Sequence, residues 1–340
     1  MTQHQILIEG EAQAFPQTEG DTLLRAALRA GVGFPYECSS GGCGSCKFEL
    51  LEGEVENLWP EAPGLSERDR RKKRLLACQC RAKGPLRISV RTAAEYRPSI
   101  VPQRRQAELV DASAITHDIH EFRFQAPGHA DFLAGQYALL SIPGVPAPRA
   151  YSMANIANAQ GHWHFQIRRV AHGRATEQLF HHLQRGDSIE IDAPYGLASL
   201  REASSRDIVC VAGGSGLAPM LSIARGAVQA GMLQDRQLLF FYGARTASDL
   251  CGESFLRELP GYGERIHYYP VVSDPAADAQ TPWAGATGFV HEHVKRILGE
   301  QMPQHEFYFA GPPPMTQSLQ EMLMLEYHVP FEQVHFDRFF

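Results

Sequence analysis

Apolar and polar positions change their period twice along this chain. Ile6, Leu7 and Ile8 predict a short opening strand. Asp21 or Thr22 then caps a helix with an apolar stripe at Leu24, Ala27 and Leu28, which Gly31 and Gly33 end. Residues 47–51 and 86–90 read as further strands, and 97–102, with two prolines, as a linker. Beyond it the chain has short alternating strands separated by frequent turns, at 121–124, 137–142, 162–169 and 188–191. That is the pattern of an antiparallel barrel. From about residue 203 the pattern changes to solid apolar strands, at 208–212, 238–242, 267–272 and 307–309, with helical stretches between them. Strands buried on both faces and alternating with helices predict a parallel α/β sheet.

The chain therefore reads as three parts, 1–98, 103–202 and 203–340. A length of 340 residues suits two or three domains, and 44% hydrophobic residues can fill ordinary cores. A net charge of −6 gives no general attraction to nucleic acid. No apolar run is long enough to span a bilayer, and the first ten residues lack the basic-then-apolar layout of a signal peptide. A cytoplasmic location is expected. Of seven cysteines, five fall between positions 38 and 80. The odd number and absent export signal argue against a disulfide framework and for metal or redox use.

Cys38, Cys43 and Cys46 form C-x4-C-x2-C, with glycines at 41, 42 and 44. This is the plant-type spacing for a [2Fe–2S] cluster. Three thiolates must converge within nine residues, and glycine lets the backbone wrap the cluster and turn its N–H groups toward sulfur. The fourth thiolate comes from Cys78 or Cys80. A zinc site is the competing reading, but zinc favours paired C-x2-C units, and here the distal pair is C-x-C. The segment FPYECSSGGCGSCKFELLEGEVENL at 34–58, with LLACQC at 75–80, resembles the ferredoxin domain of bacterial oxygenase reductases. The resemblance implies a β-grasp fold with Cys78 as the fourth ligand and Cys80 as a spare, partly buried thiol.

The second part holds Arg149-Ala-Tyr151-Ser152-Met-Ala-Asn155. An arginine fork suits a pyrophosphate, a tyrosine offers a flat face to a flavin, and a serine hydroxyl can donate to flavin N5. Arg168, the turn Gly173-Arg174-Ala175-Thr176 at a predicted helix start, and a tight turn at 192–196 follow. In the third part, strand 208–212 runs into Gly213-Gly214-Ser215-Gly216-Leu217-Ala218-Pro219, where glycines let a pyrophosphate approach the backbone. In this order the strings resemble the ferredoxin–NADP reductase superfamily. That implies a six-stranded antiparallel FAD-binding barrel, with Arg149 and the 173–176 turn on the pyrophosphate and Tyr151 and Ser152 on the ring. It implies a parallel α/β nicotinamide domain whose later strings are 241–245, ending in Arg245, and Gly311-Pro312 onward. Most relatives carry cysteine where this chain has Ala310. The ending, with Asp337 and Phe339 or Phe340, resembles the superfamily's acid-x-aromatic terminus, which would set Asp337 near Ser152 and an aromatic ring over the flavin. A terminal strand burying its phenylalanines is the competing reading. The stretch after Arg245 contains Asp249 and no basic cluster, so NADH is expected over NADPH.

Taken together, the chain resembles the reductase components of bacterial aromatic oxygenases, closest to those of toluene-type diiron monooxygenases. The resemblance implies hydride transfer from NADH to FAD, then single electrons through the cluster to a Rieske-type ferredoxin or a diiron hydroxylase component, by a monomer. The reductase of a Rieske ring dioxygenase is the alternative. A further rival makes 1–98 a recruiting module beside a flavin diaphorase. The histidine pairs 181/182 and 291/293 are read as solvated surface. So is the run 67–74 (ERDRRKKR), taken as a solvated helical face, for which a docking patch against the flavin domain is the sharper reading. Residues 1–66 carry ten acids against three bases, a face that could steer toward a basic partner.

Overall fold

The fold was taken from a computed structural model, which describes residues 3–11, 14–278 and 280–338. The chain divides into two units. Among the described residues, one takes in those up to Arg104 with Ala193–Tyr195, and the other is the remainder. The barrel and the α/β sheet thus fall together in the second.

In the first unit β1 (Gln3–Ile8) and β2 (Phe15–Thr18) precede helix α1 (Leu23–Arg29). Thr22 is the N-cap, its hydroxyl accepting from Arg25 N–H. The helix stops at Ala30, and Gly31 takes the left-handed turn with φ +73°. β3 (Lys47–Glu52), β4 (Val55–Asn57), α2 (Glu67–Arg71), β5 (Leu75–Leu76), β6 (Cys80–Ala82) and β7 (Leu86–Ser89) follow. The main sheet has order β2-β1-β7-β3-β5, with β1 and β7 parallel and α1 supplying Leu24, Ala27 and Leu28 to the core. The predicted strands at 47–51 and 86–90 are β3 and β7.

The second unit begins with the sheet β11-β10-β13-β8-β9-β12. Its strands are β8 (Gln103–Ala114), β9 (Ile119–Gln125), β10 (Tyr137–Ser141), β11 (Arg149–Ser152), β12 (His162–Arg168) and β13 (Ser188–Tyr195). The long β8 was not expected, because its alternation is diluted by polar residues and a bulge between Leu109 and Asp111. A short helix α3 (Arg174–Glu177) leads into a wider π turn over Gln178–His182. Phe122, Phe124, Trp163 and Phe165 fill the interior.

The other sheet is parallel: β14 (Asp207–Gly213), β15 (Leu238–Ala244), β16 (Ile266–Val272), β17 (Ala286–Thr287), β18 (His305–Gly311) and β19 (Val334–Arg338). Its order is β17-β16-β15-β14-β18-β19, with α4 (Leu217–Gln229), α5 (Glu253–Arg257), α6 (Val290–Leu298) and α7 (Pro313–Glu321) between strands. The chain works outward from β14 to β17, then returns to β14's other side with β18. That reversal is a topological switch point, where open α/β sheets leave a crevice at the strands' carboxyl ends. The terminal stretch is a strand, and Phe336 stacks on Phe309 at 5.2 Å. Phe339 and Phe340 lie outside the described residues.

Candidate functional site

Four thiols meet in the first unit. Cys38 is a hydrogen-bond neighbour of Cys43, and Cys46 of Cys78. The backbone between them is bent so that amides face sulfur. Ser40 N–H and Cys43 N–H donate to Cys38 Sγ at 3.4 and 3.3 Å, and Ser45 N–H donates to Cys43 Sγ at 3.4 Å. Gly44, at φ +78°, makes the bend, and a Cβ there would lie 2.3 Å from Gly64 O. Hydrogen bonding from Cys43 and from Ser40 holds the Cys38 thiol down to about 4, while the same contact and burial push Cys43 up. The contact with Cys78, and then burial, likewise raise Cys46. Cys80 is fully buried, not partly, and burial lifts it to about 12; its thiol makes no such pair. Two neighbouring thiol pairs, with backbone N–H groups on the Cys38 and Cys43 sulfurs and the Gln79 amide on Cys78, make a four-sulfur donor set that fits a [2Fe–2S] cluster. Cys38, Cys43, Cys46 and Cys78 are the residues that could hold it.

In the barrel, β11 presents Arg149, Tyr151 and Ser152. Among the described residues no carboxylate pairs with Arg149 or Arg174, which leaves two guanidinium charges for a diphosphate. Burial pushes the Tyr151 phenol up to about 12 and keeps it neutral. Ser152 is buried at the strand's end. Two expected contacts prove to be spent elsewhere. The Asn155 amide donates to His162 O and Ile156 O and accepts from His164 N–H. Thr176 Oγ1 donates to Val170 O and Gly173 O, so it closes its own loop. Gly173 and Ala175 belong to that loop's backbone, the first as helix N-cap.

At the switch point lies a cavity of about 390 Å³. Gly213, Gly214, Arg245, Asp249 and Pro312, from the strings assigned to the nucleotide, line it. Glycine is required at 216, where a Cβ would lie 1.9 Å from Ala310 O. Ser215 sits between these glycines in the short turn Gly214–Gly216 that opens α4, and Gly311 ends β18. Ala310 is fully buried, in register with Asp337 across β18 and β19. Asp337 therefore belongs to the α/β sheet, whereas Ser152 is on the barrel strand β11, in register with Tyr137. Arg168, expected among the flavin strings, instead lines this cavity: its Nε donates to Asp118 Oδ2 at 2.6 Å and its Nη1 lies beside Gly214.

The cavity is acidic on one side. Asp118 and Asp249 both line it, with His117 3.9 Å from each. Asp249 Oδ2 also accepts from Thr246 N–H and Oγ1. Arg245 is mostly exposed, 3.4 Å from Asp274. Sequence reasoning missed Asp118, Ser273, Phe289 and His291 here, because they come from three separate places in the chain, the β8–β9 turn, the end of β16 and the start of α6, that only the fold brings together. It also took 291 and 293 for solvated surface. His291 stacks on Phe289 at the cavity wall, and His293 is buried edge-on to Phe241, its Nδ1 2.6 Å from Arg296. Burial lowers its pKa. The apolar i, i+4 face of α6, Val290 and Val294, was the available signal.

A thiol cluster site, a flavin-type barrel and a nucleotide crevice on one chain define an electron-transfer flavoprotein reductase. Comparison with known proteins agrees part by part. Residues 6–83 match the 2Fe-2S iron-sulfur cluster binding domain, 106–199 the oxidoreductase FAD-binding domain and 210–321 the oxidoreductase NAD-binding domain. The chain is 43% identical to ferredoxin–NAD(P)(+) reductase CarAd of Metapseudomonas resinovorans, over 99% of this chain and 100% of that one. It is 39% identical to the ferredoxin–NAD(+) reductase component of the alkene monooxygenase system of Xanthobacter autotrophicus, over 97% and 98%. It is 33% identical to the xylene/toluene monooxygenase electron transfer component XylA of Pseudomonas putida, over 98% and 93%. The solved ferredoxin reductase in carbazole 1,9a-dioxygenase superposes with a TM-score of 0.91 at 39% identity, covering 100% of this chain and 99% of that one. The chain belongs to the ferredoxin–NAD(P)+ reductase components of oxygenase systems. It is an NAD(P)H-dependent oxidoreductase with FAD and [2Fe–2S] domains. Among the described residues no helix is long and apolar enough to cross a membrane.

Proposed function

We propose that this chain draws electrons from NADH and delivers them singly through the cluster to an oxygenase system. FAD, when bound, supplies the conversion of a hydride pair into single electrons. Arg149, Arg174 and the first-turn amides of α3 would hold its diphosphate, with Tyr151 against the ring and Ser152 donating to N5. Gly213 to Gly216 and Arg168 would take the nicotinamide nucleotide's diphosphate at the start of α4. Asp118 and Asp249 would repel a 2′-phosphate, and Arg245, beside Asp274, is a poor counter-ion for one. That supports NADH, the coenzyme in the name of the alkene monooxygenase relative. Cys38, Cys43, Cys46 and Cys78 would carry the exit cluster. The convergence of these four thiols on a chain with complete flavin and nucleotide parts is the observation that carries the reading.

For the acceptor we take the toluene-type monooxygenase system, through a Rieske-type ferredoxin or directly to a diiron hydroxylase, in keeping with the XylA relative. The carbazole dioxygenase reductase structure favours the second reading, a Rieske dioxygenase system. The protein is taken as a cytoplasmic monomer. The test is a visible spectrum before and after anaerobic NADH. Flavin and cluster bands should both be present and both bleach. A reduced flavin beside an oxidised cluster would overturn the electron path.

A further inference from the structure

The basic run after the cluster loop does not behave as a uniformly solvated face. Asp69 within it is buried, accepts from the Ser66 hydroxyl and pairs with Lys47 at 2.8 Å and Arg74 at 3.3 Å. Arg70 is also used internally. It donates to Pro60 O at 2.8 Å, Ala62 O at 3.2 Å and Leu65 O at 3.1 Å, and it pairs with Glu61. These bonds clamp α2 onto the loop 60–65. Arg68, Arg71, Lys72 and Lys73 are left exposed, with no carboxylate partner among the described residues.

The same loop begins at two exposed apolar side chains, Leu58 at 38% and Trp59 at 44%. The Trp59 ring lies against the cluster loop, since a Cβ on Gly41 would be 3.2 Å from its Cε3. Leu58 N–H donates to Gln79 O, next to Cys78, and Gly64 N–H donates to Gly41 O at 2.9 Å. An apolar spot thus sits on the cluster segment, and four cations with no carboxylate partner among the described residues stand on the helix clamped beside it, Arg68 and Arg71, and just past its end, Lys72 and Lys73. A small apolar centre with a charged rim is the anatomy of a transient, charge-steered protein contact. The rest of this segment is acidic, so the patch is a local reversal of sign.

We propose that Leu58 and Trp59, with Arg68, Arg71, Lys72 and Lys73, form the docking face for the electron acceptor, and that the acceptor presents an acidic rim around its own redox centre. The proposal rests on the reading that the cluster is the electron exit. In the step itself the reduced cluster loses one electron and the acceptor gains it, with no bond made or broken.

The test uses the full-length holoprotein and two one-electron haem acceptors of opposite charge, the anionic soluble domain of cytochrome b5 and cationic cytochrome c. Arg68, Arg71, Lys72 and Lys73 are changed together to Glu, and separately to Gln in case the reversal impairs folding. At low salt the Glu variant should reduce cytochrome b5 about tenfold more slowly than wild type, because steering of this kind changes association rates by factors of roughly 10 to 1,000. Its rate should no longer fall with added salt, and the Gln variant should lie between. Cytochrome c reduction should hold or rise. Bleaching of flavin and cluster by NADH, and ferricyanide reduction, should match wild type. Unchanged cytochrome b5 rates and salt dependence in both variants would overturn the proposal. So would slower cluster bleaching, which would assign the patch to transfer within the chain. A wild-type cluster that NADH never bleaches would instead defeat the electron path itself.

Discussion

Ser222 bolts the nucleotide helix to the flavin strand's extension. Fully buried on α4, its hydroxyl donates to Asn155 O at 2.7 Å and accepts from Gly135 N–H at 3.1 Å. One turn on, Arg225 Nη1 donates to Ala154 O at 2.6 Å. Ala154 and Asn155 lie two and three residues beyond Ser152, while α4 starts from the glycine turn at 213–216. Ser222→Ala therefore removes both hydrogen bonds across this junction and leaves a buried carbonyl and amide without those partners. Each such loss costs about 1–3 kcal/mol. Backbone relaxation would recover part of this, so we expect about 2 kcal/mol overall. For a unit of this size that is a fall in Tm of roughly 4–8 °C. The functional consequence is separate. Hydride transfer tolerates little misplacement, and a shift of about 1 Å can cost roughly a hundredfold. A loosened but intact junction should slow flavin reduction by about tenfold. The assay is anaerobic stopped-flow of flavin bleaching across NADH concentrations. The limiting rate should fall while the NADH Kd and FAD content stay near wild type. A lowered Tm with an unchanged limiting rate would refute the positioning role and leave Ser222 merely structural.

Iron content separates the two distal cysteines: Cys78→Ser should lose the cluster and Cys80→Ser should keep it, and the reverse would overturn the ligand set. Asp249→Asn keeps the hydrogen-bond geometry around Thr246 but removes one charge from the cavity, so NADPH kcat/KM should rise by roughly fivefold, about 1 kcal/mol; no change would mean Asp249 does not face the 2′ position. Burial pushes His164 down to about 4, with the neighbouring Arg123 and Arg225 charges adding to it. The unfolded chain takes up that proton near pH ~6.5 and the folded one does not, so stability should fall as pH drops from ~6.5 toward 4, by up to about 1.4 kcal/mol per pH unit. Denaturant midpoints at pH 7 and 5 should converge in His164→Gln, and an unaltered pH slope would contradict this.

The parts legible in the sequence were those whose information is local. The cysteine spacing, the cap before α1, the solid strands of the parallel sheet and the glycine turn before α4 each occupy a few consecutive residues. What the sequence concealed was assembled by the fold. Asp118 from the barrel, Phe289 and His291 at the start of α6 and Ser273 after β16 reach one cavity only because the strand order reverses between β14 and β18. Side-chain commitments were equally hidden. Asn155 and Thr176 carry the right chemistry for a cofactor, yet both close local backbone. His293 looked like surface until α6 turned it against Phe241. The basic run was visible as a charge pattern, but which cations are internal, Arg70 and Arg74, and which are exposed required the packing of α2.

The central claim is that electrons leave through the cluster. Its most direct test is the anaerobic NADH-driven reduction of cytochrome c at saturating acceptor by FAD-replete Cys78→Ser, beside wild type. With the cluster gone, flavin bleaching and ferricyanide reduction should persist, because the flavin and nucleotide parts are untouched. Cytochrome c reduction should fall to a small fraction of the wild-type rate, and added acceptor should not restore it. A cluster-free chain that reduced cytochrome c at the full rate would show that electrons exit from the flavin and that residues 1–98 only recruit the partner.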